Sequence, residues 1–206
     1  MRIVAGAWRG RPLLAPPGIA TRPTSDRVRQ ALFDMLWHAP WAGPQAIAGA
    51  VVLDAFAGTG ALGLEALSRG AARAVFFERD QRALAALRRN VASCGADALA
   101  RVAAANATRP PPATDRCDLV FLDPPYGQAL VPAAVEALQR AGWIAAGALI
   151  VAETGRDEPV PVAAPPLADR THGAARLIVW RWDAAVCRVD AERPGPHGAG
   201  MPRERP

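Results

Sequence analysis

From residue 51 onward, short unbroken apolar runs alternate with stretches in which apolar residues recur every three or four positions. The runs 51–56, 74–78, 99–104, 119–123 and 149–153 predict strands. The stretches 61–69, 81–93 and 130–141 predict helices, the first two stopped by Gly70 and Gly95. Strands alternating with helices of this length imply parallel βαβ units in a doubly wound α/β sheet. A final pair, near 160–163 and 177–182, is expected to close the sheet as a hairpin, with Trp180 and Trp182 covering it.

The chain ahead of this repeat is patterned differently. Ile3, Ala5 and Ala7 alternate with Val4, Gly6 and Trp8, and Arg9-Gly10-Arg11-Pro12 then reverses the chain before Leu13-Leu14. That is the pattern of a short basic hairpin, ended by Pro16-Pro17-Gly18. After Arg22-Pro23, Thr24 or Ser25 can N-cap a helix with Asp26 in its first turn and one buried face of Val28, Ala31, Leu32, Met35 and Leu36. Past Asp183 the chain is rich in Pro, Gly and Arg with almost no apolar periodicity, the composition of a disordered tail. The expected organisation is therefore a hairpin in 1–20, an α/β domain over 21–182 and a tail from 183 to 206.

Composition narrows the class. At about 150 residues per domain, 206 residues give one domain with an appendage. A chain of this size buries roughly 70% of its unfolded surface, enough for a core without staples. No stretch approaches the roughly 20 apolar residues of a membrane span, and Arg2 and Arg9 interrupt any signal sequence. Cys94, Cys117 and Cys187 are odd in number and form no C-x-x-C pair, which points to a reducing cytoplasm and away from a metal site. His38 and His172 stand alone and carry no assigned chemistry.

Charge changes the picture by its position. All 24 basic residues are arginine, and the net charge is +5. Residues 1–29 hold Arg2, Arg9, Arg11, Arg22, Arg27 and Arg29 against Asp26 alone, while the remaining 18 arginines are balanced by 18 acids. The whole excess sits in the first 29 residues, where it can attract a phosphate backbone. Arg2, Arg9, Arg11, Arg22 and Arg27, with Trp8 between them, are the candidate RNA contacts. A solvated arginine-rich hairpin with no partner, and a Trp8 that packs the hairpin onto the domain, are the plainer alternatives.

Two motifs carry chemistry. Asp54-Ala55-Phe56-Ala57-Gly58-Thr59-Gly60-Ala61-Leu62-Gly63 follows a strand and opens a helix, and Gly58, Gly60 and Gly63 make a full G-x-G-x-x-G. Glu78 stands 20 residues beyond Gly58, at the end of the next strand. By itself this is a dinucleotide fingerprint, with pyrophosphate at the helix N-terminus and the acid on ribose. Asp54 argues otherwise, because a carboxylate before the glycines repels pyrophosphate and welcomes a cation. S-adenosylmethionine, with a sulfonium and an ammonium and no phosphate, suits the loop better; a tight strand-to-helix turn without ligand is the remaining alternative.

The second motif is Asp123-Pro124-Pro125-Tyr126-Gly127, which ends the apolar run Leu119-Val120-Phe121-Leu122. Two prolines remove two backbone donors, leaving the Asp123 carboxylate and the Pro124 carbonyl as a cluster of acceptors. Such a cluster matches an NH2 group. Gripping both hydrogens of a nucleobase amine helps its nitrogen rehybridise into a nucleophile toward a sulfonium methyl. Tyr126, the only tyrosine, would stack on a base drawn out of its helix or loop. A proline-stiffened turn capped by Asp123, with Tyr126 in the core, is the competing reading.

With the glycine loop, this D-P-P-Y element resembles the S-adenosylmethionine-dependent amino methyltransferases. The opening Met1-Arg2-Ile3-Val4-Ala5-Gly6-Ala7-Trp8-Arg9-Gly10-Arg11 and Arg22-Pro23-Thr24-Ser25-Asp26-Arg27-Val28-Arg29 resemble, more narrowly, the bacterial 16S rRNA guanine-N2 methyltransferases. The resemblance implies a Rossmann-like class I methyltransferase: a seven-stranded, mostly parallel sheet with flanking helices and an N-terminal β-hairpin that helps grip RNA. It implies methylation of a guanine 2-amino group in 16S rRNA; with so little excess charge outside the arm, an assembled or assembling small subunit is expected to supply much of the recognition. S-adenosylmethionine would be the cofactor, S-adenosylhomocysteine the product, and no metal or membrane is involved; a monomer is expected. It assigns Asp123, Pro124 and Tyr126 to the substrate amine and base, and Thr24, Asp54, Gly58, Gly60 and Glu78 to the cofactor. Asn106 departs from it, standing where the family more often has an acid near the adenine amine; its amide oxygen can still accept that bond, with weaker selectivity. An adenine-N6 or protein-amide methyltransferase, a nicotinamide oxidoreductase and a noncatalytic RNA-binding assembly factor are the rival classes.

Overall fold

The computed structural model describes residues 1–15, 26–125, 127–160, 165–172 and 175–183. Thr24, Arg22, Tyr126, Cys187, the N-cap at Thr24 or Ser25 and the tail lie outside them.

Seven strands form one sheet in the order β3-β2-β1-β4-β5-β7-β6. They are β1 (Val51–Asp54), β2 (Arg73–Glu78), β3 (Ala100–Ala104), β4 (Cys117–Leu122), β5 (Ile144–Gly155), β6 (Ala168–His172) and β7 (Ala175–Arg181). The pairs among β1 to β5 are parallel, and β7 runs antiparallel between β5 and β6. Among the described residues four α-helices flank the sheet: α1 (Asp26–His38), α2 (Ala61–Ser68), α3 (Gln81–Cys94) and α4 (Leu130–Arg140).

The strands read as unbroken apolar runs because both faces are covered. Val52, Phe76, Leu119, Phe121, Leu149, Val151 and Val179 point to one face, under Leu32, Phe33 and Leu36 of α1, Leu64 and Leu67 of α2 and Leu87 and Val91 of α3. Leu53, Val75, Phe77, Val120, Leu122, Ile150, Ile178 and Trp180 point to the other, under Val131, Val135 and Leu138 of α4 with Trp143 and Trp182. Asp80 caps α3, its carboxylate accepting the Arg82 and Ala83 N–H groups at 2.9 Å, and Gly95 at φ 64° ends it. Cys94 and Cys117 are buried, and burial pushes the Cys117 thiol up to about 12, which leaves it protonated and inert.

Three expectations are corrected in detail. The partner of β7 is Ala168–His172, not a strand near 160–163: Val160 lies outside any strand, and 161–163 fall outside the described residues. β6 is a polar edge strand with one neighbour, tied by a surface Arg176–Asp169 pair at 2.6 Å, so it shows no apolar run. The inner face of α1 is Arg29, Leu32, Phe33 and Leu36, with Ala31 exposed and Val28 and Met35 half-buried. Arg29 turns inward beside the buried Glu65 carboxylate of α2, 3.7 Å away. β5 starts five residues earlier than its β-branched core suggests, at Ile144 beside Cys117, across a register shift.

The N-terminal hairpin is a short antiparallel ribbon with one bridge, Arg2 opposite Pro12. Ile3 donates to the Arg11 carbonyl at 2.9 Å, Gly10 to Ile3 at 2.8 Å and Leu13 to Met1 at 3.0 Å. It lies on α2, where the buried Glu65 carboxylate accepts the Val4 and Ala5 N–H groups at 2.8 and 3.0 Å. Gly6 is required there, since a Cβ would sit 1.9 Å from the Ser68 carbonyl oxygen.

Candidate active site

Parallel pairing sets the predicted residues along one edge of the sheet. Asp54 pairs with Phe76 on one side and Phe121 on the other, so Glu78 and Asp123 each stand two residues beyond its level on flanking strands. Glu78 pairs in turn with Ala104, which places Asn106 two residues beyond on the next strand. Asn106, Glu78, the loop after Asp54 and Asp123 thus occupy four consecutive strand ends across three spacings, about 14 Å in all. They lie at the carboxyl ends, where open α/β sheets bind ligands.

The glycine loop is held from within by carboxylates. Asp54 Oδ2 accepts the Gly63 N–H at 3.0 Å, and Glu78 Oε2 accepts the Gly58 N–H at 2.8 Å. Glu78 Oε1 also accepts from Arg79 and Asp80 at 2.7 and 2.8 Å. Gly60 donates to the Ala57 carbonyl at 2.6 Å. The Gly58, Gly60 and Gly63 amides are thus taken by side chains or by the loop itself, and two carboxylates stand where a pyrophosphate would need neutral or cationic neighbours. That disfavours the dinucleotide reading and fits a cationic ligand with ribose hydroxyls.

The glycines divide the work. Gly58 at φ 53° and Gly60 at φ 81° take left-handed conformations. A Cβ on Gly60 would meet Leu87 at 2.3 Å and one on Gly63 would meet the Phe76 ring at 2.3 Å, whereas one on Gly58 would meet nothing within 4 Å. Gly60 and Gly63 serve close packing; Gly58 faces open space. Asp54 is 1% exposed, and burial first, then the charge of Glu78, pushes its carboxyl up from 3.8 to about 7, against the lowering effect of the Gly63 N–H.

Asn106 differs from its expected use. Its Oδ1 accepts both the backbone N–H and the hydroxyl of Thr108, each at 3.0 Å, closing a turn in which Arg109 donates to the Asn106 carbonyl at 2.9 Å. Both lone pairs of that oxygen are committed, so the amide offers a ligand its NH2 group instead of an acceptor. The proline run that follows also has a role, because the Pro111 carbonyl accepts the Trp143 indole N–H at 2.8 Å.

Asp123 is half-buried and Pro124 buried at the end of β4. The turn beyond them is held by Glu158, which sequence reasoning missed. Its carboxylate accepts the N–H of Gly127, of Ala129 at 3.2 Å and of Gly155 at 3.3 Å, so it joins the D-P-P-Y turn to the end of β5.

Of the candidate RNA contacts, Arg2, Arg9, Arg11 and Arg27 are exposed. Trp8 is half-buried and packed on the core, so at least part of the ring serves packing, and its backbone N–H donates to the Ser68 hydroxyl at 3.0 Å. Arg29, counted in the basic arm by sequence, is wholly buried: it donates to the Arg2 carbonyl, pairs with Asp26 at 2.8 Å and lies 3.7 Å from Glu65.

A sheet with one reversed strand next to its edge, bearing a glycine loop and acids at adjoining strand ends, defines a Rossmann-like class I methyltransferase. The sequence narrows this further: the chain belongs to the family described as Conserved hypothetical protein 95, whose model matches residues 1–180. It is 42% identical over 163 residues to the ribosomal RNA small subunit methyltransferase D of Escherichia coli K12, covering 78% of each chain. It is 36% identical over 164 residues to the Haemophilus influenzae protein of the same name, covering 78% of this chain and 81% of the other. A solved Escherichia coli structure, described as a candidate methyltransferase, superposes with a TM-score of 0.74 at 37% identity, over 89% of this chain and 98% of that one.

Proposed function

We propose that the chain transfers a methyl group from S-adenosylmethionine to the N2 amine of a guanine in 16S rRNA of the small ribosomal subunit, in the bacterial cytoplasm. The observation that carries this reading is the sheet edge itself: a glycine loop whose amides are spent on Asp54 and Glu78, one strand away from the Asp123-Pro124 acceptors. The first favours a cation and a ribose; the second favours an NH2 group. The relatives' names direct the choice of NH2 carrier to small-subunit rRNA, and the excess of arginine in the first 29 residues supplies attraction for its backbone.

S-adenosylmethionine, when bound, supplies an electrophilic methyl on a sulfonium. The protein's part is to place and prepare the amine. Asp123 and the Pro124 carbonyl accept its two hydrogens, which orients the nitrogen and draws its lone pair out of the ring. Asp123 or water then takes the proton that the methylated amine releases. Tyr126 holds the flipped base by stacking. Glu78 accepts from the ribose hydroxyls, Gly58 leaves the space a ligand needs, and the Asn106 NH2 group faces an acceptor on the adenine. The family resemblance assigns Thr24 to the methionine end, and Arg2, Arg9, Arg11, Arg22 and Arg27 are the proposed phosphate contacts.

The test is transfer of labelled methyl to small subunits from cells lacking the modification, with nuclease digestion and nucleoside analysis. N2-methylguanosine at one position is the expected product. No incorporation by a chain that binds S-adenosylmethionine would move the substrate to another NH2 carrier, such as an adenine or a protein amide. Deproteinised rRNA, tested in parallel, should be methylated more slowly than subunits.

A further inference from the structure

Asn90 lies in α3, wholly buried, and its side-chain hydrogen bonds all leave α3. Its Oδ1 accepts the Leu14 N–H at 2.8 Å, and its Nδ2 donates to the Leu14 carbonyl at 3.0 Å and to the Thr59 carbonyl at 2.9 Å. Leu14 belongs to the end of the N-terminal ribbon, 76 residues away; Thr59 stands between Gly58 and Gly60. A single side chain therefore bridges the ribbon and the glycine loop. The same two segments touch again where the Thr59 hydroxyl lies 4.0 Å from the Met1 sulfur.

The chemistry of the bridge is specific. A primary amide carries both an acceptor and two donors, so it can answer a peptide group's N–H and C=O together and still reach a second carbonyl. A hydroxyl, a carboxylate or an ammonium cannot do all three. If the ribbon leaves, two of the three bonds are exchanged for bonds to water, which is a net loss for the folded state. A shift of the loop breaks the third. The ribbon and the loop consequently favour each other's observed positions.

We infer that Asn90 is a positioning residue that makes seating of the ribbon and the shape of the cofactor loop one equilibrium. A ligand that fixes the loop then fixes the ribbon, and whatever holds the ribbon down strengthens ligand binding by the same factor. The inference rests on the reading of the loop as the S-adenosyl site, and through the ribbon's arginines it links RNA engagement to cofactor affinity.

Hydrogen exchange of the full chain, with and without saturating S-adenosylhomocysteine, tests this, with affinity measured by calorimetry. In the wild type, the ligand is expected to slow exchange at the Val4, Ala5, Leu13 and Leu14 amides about tenfold, although it touches none of them. In Asn90→Ala, the ligand still protects the loop but no longer the ribbon, and its Kd rises about tenfold. Leu14→Pro removes one donor of the bridge at a residue whose side chain is 52% exposed, so it keeps the core and carries the test if Asn90→Ala does not fold. It is expected to uncouple the ribbon with a Kd about threefold higher. A merely structural Asn90 would leave ribbon exchange unmoved by the ligand in the wild type. That result, or ribbon protection retained in the variants, overturns the inference. A wild-type chain that binds no S-adenosylhomocysteine overturns the cofactor reading and this inference with it, whereas binding without ribbon protection overturns the coupling alone.

Discussion

The two halves of the sheet's carboxyl edge are built on different plans. Beyond β1, β2 and β3, turns close on side chains from the same neighbourhood: Asp54 takes Gly63, Glu78 takes Gly58 and Asn106 takes Thr108, all at 2.8–3.0 Å. Beyond β4, the turn after Asp123 is held from outside, by one half-buried carboxylate on the loop after β5. Here α4 opens on Ala129 at φ 46°, a left-handed conformation that a residue with a Cβ adopts at some cost. The first plan fixes a surface for a ligand of constant shape. The second ties the turn to a carboxylate on a separate loop, an arrangement suited to a substrate that must be inserted.

Asp123→Ala should separate the halves most sharply. Turnover is expected to fall about 10³-fold with S-adenosylhomocysteine affinity unchanged, measured by labelled methyl transfer and calorimetry. Near-normal methylation would remove Asp123 from the chemistry.

The acidity of Asp54 gives the next effect. A bound cation favours its carboxylate, so binding lowers a carboxyl that titrates at about 7 in the free protein and releases a proton. S-adenosylmethionine affinity should therefore rise as pH climbs from 6 to 8, by about tenfold, and level off above. Asp54→Asn should flatten the profile. Without ligand the same raised value acts oppositely on folding: the unfolded chain gives up its proton from about 3.8 upward while the folded one keeps it to about 7, so this group lowers stability across that window.

The smallest effect is expected from Glu158→Gln, which keeps the shape and loses the charge that three N–H groups share. Turnover should fall about fivefold, corresponding to roughly 1 kcal/mol, with no change in S-adenosylhomocysteine affinity. A change confined to cofactor affinity would place Glu158 with the other half.

What could be read in the sequence was what acts locally. The strand ends, the glycines and the acids beside them lie within a few residues of the pattern that announces them. Asn90, Glu65 and Glu158 were not legible because their partners lie 76, 61 and 31 residues away. On a helix, Asn90 and Glu65 look like any polar residue between apolar ones. Arg29 misled for a related reason: its charge counted toward a basic arm, yet it lies in the core beside the buried Glu65 of α2, 36 residues away. β6 escaped notice because an edge strand with a polar sequence has no periodicity to show.

The ribbon's anchors also bear on how the protein is made. Residues 1–15 leave the ribosome ahead of Glu65, Ser68 and Asn90, which hold them. The opening segment must wait, unpaired and carrying Arg2, Arg9 and Arg11, until α3 has emerged. During that interval it is a free cationic thread beside a machine made largely of RNA. Maturation of the enzyme therefore includes withdrawing that thread onto its own helices.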